Sequence, residues 1–147
     1  MTSMSIPDDC REMLDKTEAA EYRLSEGESE PYMTLWSQEQ DVTVMGAMGA
    51  YYRGPDQVRQ NAEFVASRFH GGRNQRTEMV AMGASGDLAY SVWIERGEAR
   101  VVGREDYAPL ALRITHIFRR ENGEWKIIHR HGDAVMEQAQ TPPVRQN

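Results

Sequence analysis

Cysteine is nearly absent. Cys10 is the one thiol among 147 residues, so neither an internal disulfide nor a thiolate metal site can form. A reducing, cytoplasmic setting is expected on that count. Basic residues are in the minority, 17 Lys plus Arg against 23 Asp plus Glu, for a net charge of -6. An acidic chain is a poor partner for polyanions, so neither nucleic acid nor a membrane surface is expected as its target. No apolar run approaches the ~20 residues that cross a bilayer. The longest central stretch free of charge and proline, 42–52, is interrupted by Thr43, Gly46 and Gly49. Residues 1–10 hold neither a basic cluster nor an apolar segment, so no export signal is expected. Internal repeats and low-complexity tracts are missing too, which excludes solenoid architectures.

What is present is a globular composition, 39% hydrophobic and 27% charged. The length suits one domain over 1–147, with its core about 9–135 and a frayed tail over 138–147. Apolar residues at three- and four-residue spacing predict a helix over 9–24: Cys10, Met13, Leu14, Thr17, Ala20 and Leu24 share a stripe, with Asp9 and Glu12 as a start signal and Gly27 as a stop. A shorter helix follows from Ser29 and Pro31, presenting Tyr32, Leu35 and Trp36. Residues 41–45 alternate as a strand, and a glycine-punctuated stretch carries Met48, Tyr51 and Tyr52. Pro55 opens a third helix, with Val58, Ala62, Val65, Ala66 and Phe69 inward and His70-Gly71-Gly72 closing it. Stretches 75–82, 87–96, 108–120 and 124–133 read as strands. Helices first and a run of antiparallel strands last make an α+β domain, with helices gathered on one face of a curved sheet.

The stretch 113–133 carries the most chemistry. Asn122-Gly123 between two strand patterns predicts a two-residue type I′ hairpin loop. An unbroken ladder from that turn pairs Arg120 with Trp125, Phe118 with Ile127, His116 with His129, Ile114 with His131 and Leu112 with Asp133. Opposed residues share a face. His116, His129, His131 and Asp133 are therefore expected together beside Phe118 and Ile127, with Arg113, Arg119, Lys126 and Arg130 on the other side. Imidazoles beside a carboxylate and apolar walls suit acid–base work near neutral pH. A slip of one residue would scatter the histidines over both faces.

Pro31 to Ser37, Tyr52 to Val58 and Trp125 to His131, in this order of elements, resemble the nuclear transport factor 2-like superfamily in its SnoaL-like, ketosteroid isomerase-like branch, over roughly 11–133. The last motif is also similar to a hairpin in the association domain of calmodulin-dependent kinases. The resemblance implies a cone: a bent, antiparallel to mixed sheet wrapped around helices, with a pocket inside for a small apolar organic molecule. It also implies a homodimer formed through the outer sheet face. Isomerases, cyclases and dehydratases of this kind use Asp, His and Tyr. Tyr22 and Asp41 fall near the isomerase positions, whereas His116, His129 and Asp133 with Tyr51 or Tyr90 look closer to a cyclase or dehydratase.

The catalytic candidates are thus His116 or His129 as base and Asp133 as the group orienting an imidazole. His131, Tyr51, Tyr90, Met45 and Trp93 are the candidate ligand contacts. No metal and no cofactor is expected. Trp93 and Trp125 read chiefly as core, Glu78 and Glu95 as ligand contacts or, more commonly, exposed strand carboxylates, and Met45, Met48, Met79 and Met82 as cavity lining or gap filling. Which face of strand 87–96 looks inward is open. The alternative from another class is a non-catalytic ligand-binding or association module on the same fold.

Overall fold

The computed structural model describes residues 6–46 and 49–136; the expected tail and Met48 lie outside these. Helix α1 (Asp8–Leu24) follows Pro7, whose extended backbone stands at the N-cap, so the Asp9 capping box does not form. Asp8 and Asp9 still favour the positive helix end, and Asp9 also pairs with Arg120 at 2.5 Å. The buried face of α1 is the expected apolar stripe plus one charged residue, Glu21. Helix α2 (Glu30–Met33) has Pro31 in its first turn and buries Tyr32 and Met33.

Strands β1 (Thr43–Met45) and β2 (Tyr51–Arg53) form a short antiparallel pair and lead into helix α3 (Gly54–Ser67). Long strands follow: β3 (Phe69–Ser85), β4 (Leu88–Val101), β5 (Ala108–Glu121) and β6 (Glu124–Ala134). They make one open sheet in the order β2-β1-β6-β5-β4-β3, antiparallel except where β1 runs parallel to β6. The fold is α+β, as expected. Helix α1 packs on β3 and β6, and α3 on β1, β2 and β3, so all helices lie on one face.

Strands β3 and β4 run longer than expected, over 69–85 and 88–101 against 75–82 and 87–96, and two further boundaries differ. Helix α3 stops at Ser67, and His70-Gly71-Gly72 belongs to β3 instead of closing the helix. The Gly71 N–H donates to Ser25 O at 2.9 Å, and Cβ atoms at 71 and 72 would run into Tyr107 and Ser25. These glycines therefore permit a close approach to the end of α1. The other difference is β2, a strand where the pattern gave only punctuation.

The core lies between α1, α2, α3 and the concave face. Trp36, Trp93, Ile114, His116, Phe118 and Ile127 are buried there to 1% exposure or less. Each large apolar side chain so buried contributes roughly 1.5–3 kcal/mol. The face question for β4 is settled: Ala89, Ser91, Trp93 and Glu95 look inward, and Tyr90, Val92 and Ile94 outward. Trp93 and Trp125 are both buried core residues.

Candidate functional site

The hairpin turn forms as expected. Asn122 and Gly123 adopt φ 51 and 82, and Glu121 faces Glu124, Arg120 faces Trp125 and Phe118 faces Ile127. The ladder then breaks. Ile117 pairs with His129, so Ile128 is an extra residue on β6, a bulge. Beyond it every partner is shifted by one: His116 faces Arg130, Thr115 faces His131, Ile114 faces Gly132 and Arg113 faces Asp133. The expected pairings of His116 with His129, Ile114 with His131 and Leu112 with Asp133 are overturned. Only His116 looks into the cone; His129, His131 and Asp133 lie on the outer face, and Arg130 replaces them inside.

One nonlocal pairing and one local glycine fit this register. Val44, buried at 2%, pairs with Arg130 in the parallel ladder and keeps that position inward. Gly132 leaves room for the guanidinium, since a Cβ there would lie 2.6 Å from Arg130 Nη1.

The outer group is assembled differently from the expected dyad. His129 Nδ1 lies 2.7 Å from Thr43 Oγ1, and burial followed by the nearby His131 lowers its pKa. Asp133 is gripped by Arg113 through two hydrogen bonds of 2.6 Å, which lowers its pKa, and it orients no imidazole. Met45, Tyr51 and Tyr90 are exposed at 41%, 69% and 40%, so none lines the interior; Trp93 does. Asp41 pairs with Arg119 at the surface. Tyr22 is part-buried, its hydroxyl 2.6 Å from Thr77 Oγ1 and 2.9 Å from Glu18 Oε2. His70, on β3, places Nε2 3.2 Å from Arg104 O.

Inside the cone stands a polar cluster that residue periodicity did not disclose. Arg130 Nε and Nη2 donate to the two oxygens of Glu21 at 2.8 and 3.1 Å. His116 Nε2 is 3.3 Å from Glu21 Oε2 and 3.2 Å from the Tyr32 hydroxyl. Trp93 and Phe118 flank the imidazole at centroid distances of 5.5 and 5.6 Å. Glu95, read from sequence as an exposed carboxylate, is only 9% exposed and accepts from Trp93 Nε1 at 3.3 Å.

Burial alone would raise the Glu21 pKa, but Arg130 and then His116 outweigh it and hold the carboxyl at about 2. Burial lowers the His116 pKa against the pull of Glu21, so the imidazole is neutral at pH 7. Burial and then the Glu21 charge push Glu95 well above the ordinary carboxyl range. Two interior carboxyls are thus driven in opposite directions, as in sites that divide acid and base roles.

The ionised Glu21 can accept only an N–H, which puts the imidazole proton on Nε2 and the lone pair on Nδ1. That nitrogen has no hydrogen-bond partner, and neither has Ser91 Oγ on the adjacent strand position. A carboxylate-oriented imidazole with one free nitrogen is the arrangement of a general base. The ring is closely packed, and His116 lines neither of the two small clefts nearby. A cleft of about 30 Å³ touches Tyr32, Val44, Val58 and Arg130, and one of about 10 Å³ touches Tyr22 and Glu95. Hollows of about 300 to 500 Å³ are open depressions elsewhere on the surface. Among the described residues no His, Cys, Asp and Glu group is placed to hold a metal, and no helix is long and apolar enough to cross a membrane.

A mixed six-stranded sheet with helices on its concave face and a polar interior is the NTF2-like, cystatin-like architecture. Residues 15–137 match the SnoaL-like domain, and the chain belongs to that family. A ketosteroid isomerase-like protein from Erwinia carotovora atroseptica superposes with a TM-score of 0.73 at 14% identity, over 86% of this chain and 94% of that one. A candidate calcium/calmodulin-dependent protein kinase type II association domain from Thiobacillus denitrificans gives 0.71 at 18%, over 92% and 100%. A candidate dehydratase from the NTF2-like family of Streptomyces avermitilis gives 0.69 at 19%, over 90% and 100%. At these identities the likeness shows the fold. No curated protein matches the chain.

Proposed function

We propose that this protein binds a small, largely apolar organic molecule within the cone and moves a proton on it, as an isomerase, cyclase or dehydratase would, with His116 as the acid–base group. The observation that carries this reading is the His116 ring. Its Nε2 is held by Glu21 and Tyr32, while Nδ1 faces the interior without a partner. Glu21 takes the orienting role expected of Asp133, and Arg130 keeps Glu21 charged. Burying Glu21, Arg130, His116 and Glu95 in one core does little for stability in itself, which favours a functional reason for the cluster. The narrow clefts require the cone to widen around a ligand. The lone, buried Cys10 fits a reducing compartment such as the cytoplasm.

The test uses 2-naphthol, an apolar ring whose hydroxyl imitates an enol. At millimolar concentration it raises the melting temperature of the wild type by mass action, and His116→Phe abolishes that rise while keeping a folded far-UV spectrum. An equal rise in both proteins removes His116 from the site.

A second reading, an association module, is favoured by the closed packing around His116 and by the outer sheet face. That face carries Met45, Tyr90, Val92, Ile94 and Ile117 around His129 and His131, and Tyr90 and Met45 stay well exposed. In either reading the protein is a homodimer through this face. Light scattering is expected to give twice the chain mass for the wild type. Tyr90→Glu, which buries a repelling charge on both sides of a two-fold contact, is expected to give a folded monomer. A dimeric Tyr90→Glu protein would place the contact elsewhere.

A further inference from the structure

The interior holds two carboxyls, Glu21 and Glu95, against one guanidinium. Glu21 occupies that guanidinium through both of its oxygens. Glu95 has no cation within ion-pair distance among the described residues, and its side-chain hydrogen bond is the one from Trp93 Nε1. The groups around it are mixed, with the carboxylates outnumbering the one guanidinium. Glu18, Glu21 and Tyr22 face it from α1, Gln75 and Thr77 from β3, and Arg130 from β6. On its own strand Arg96 turns outward to Glu78 at 3.2 Å, and Glu98 is engaged by Arg73 and Asn74 at 2.8 and 2.9 Å. A narrow cleft of about 10 Å³ reaches this corner from the surface; Tyr22, Gln75 and Glu95 line it together with Glu98 and with Arg96, whose guanidinium is engaged by Glu78.

We infer that the Tyr22–Glu95 corner of the cone receives the positively charged head of an organic ammonium compound, with Tyr22 as its aromatic wall. The inference rests on the interior being the ligand site and adds the charge class of the ligand. An uncompensated buried carboxylate is costly, so without a ligand Glu95 keeps its proton. An entering ammonium group supplies the missing charge; the carboxyl proton passes to solvent, and a carboxylate–ammonium pair forms in its place. The ammonium N–H groups can donate to Glu95 and to the Tyr22 oxygen. An anion at this corner would find no free cation to neutralise it, since Arg130 is taken by Glu21 and Arg96 by Glu78, and it would hold Glu95 in its protonated form.

The experiment is calorimetric titration of the whole protein with benzylammonium chloride, with benzyl alcohol and sodium benzoate as neutral and anionic counterparts of the same ring. Benzylammonium is expected to bind with release of about one proton, read from the dependence of the heat on buffer ionisation enthalpy. Benzyl alcohol is expected to bind about tenfold or more weakly, roughly the worth of one charge-assisted pair, and benzoate not at all. Glu95→Gln, which keeps the shape of the side chain, is expected to lose that preference and the proton release together. Absence of benzylammonium binding, or binding of equal strength and proton count in Glu95→Gln, overturns the assignment. If 2-naphthol binds while benzylammonium does not, the interior remains the ligand site and the charge class is wrong. If neither binds, both readings fall.

Discussion

Arg130→Met is expected to lower the unfolding free energy by about 3–5 kcal/mol, the usual cost of leaving one partner of a buried ion pair alone. For a domain of this size that is a fall in melting temperature on the order of 10 °C. Glu21 has an exposure of 2% on its side chain and, among the described residues, no second guanidinium within ion-pair distance. The sign of the accompanying pH effect follows from the carboxyl. In the wild type its folded value of about 2 lies below the ordinary 4.5, so Glu21 stabilises the fold above pH 4.5, and that contribution is lost as the pH falls toward 2. Without Arg130 burial dominates and the folded value rises, so the variant gains relative to the wild type on acidification. The double variant Arg130→Met, Glu21→Gln removes both charges and is expected to recover most of the loss. Urea midpoints of the three proteins decide the matter. A double variant no more stable than Arg130→Met would mean that the pair is not energetically coupled.

The same pair shows why the site was only partly legible in the sequence. The Asn122-Gly123 turn was readable because its backbone demand is local: two successive residues with positive φ. The strands were readable from alternation, and so were the apolar stripes of α1 and α3. The bulge at Ile128 was not. A period-two pattern assumes an unbroken ladder, and with that assumption Trp125, Ile127, His129, His131 and Asp133 make a plausible inner face. What sets the true register lies far along the chain: Val44 on the parallel neighbour and Glu21 on α1. Each choice alone looks unremarkable in sequence, because Glu21 is one charge on an apolar stripe and Arg130 one base between two histidines. Gly132 was the available signal. A buried glycine within a strand marks a close approach, and here the approaching group is the guanidinium of Arg130. The burial of Glu95 was not legible for the opposite reason: alternation offers it as a ligand contact or an exposed carboxylate alike, and nothing near it in sequence announces which.

Glu95→Gln is expected to stabilise the protein at neutral pH and leave it unchanged near pH 4. The Glu95 carboxyl is raised above 4.5 by burial and by the Glu21 charge, so the folded state holds its proton more tightly than the unfolded chain does. Its favourable contribution is complete below pH 4.5 and is withdrawn as the pH climbs toward the folded value. The slope in that window is about 1.4 kcal/mol for each pH unit, the worth of one differential proton. Glutamine keeps the size and can still accept from Trp93 Nε1, but it carries no proton to lose. The difference in melting temperature between variant and wild type should therefore start near zero at pH 4 and widen steadily through pH 6. His116 does not blur the comparison. Its lowered pKa makes it favour the fold above pH 6.5 and lose that contribution below, but it does so in both proteins and cancels in the difference. Glu21 titrates only near pH 2, outside the window. A difference that stays flat from pH 4 to pH 8 would mean that Glu95 is ionised and hydrated in the folded protein, and the interior would then have no carboxyl waiting for a positive partner.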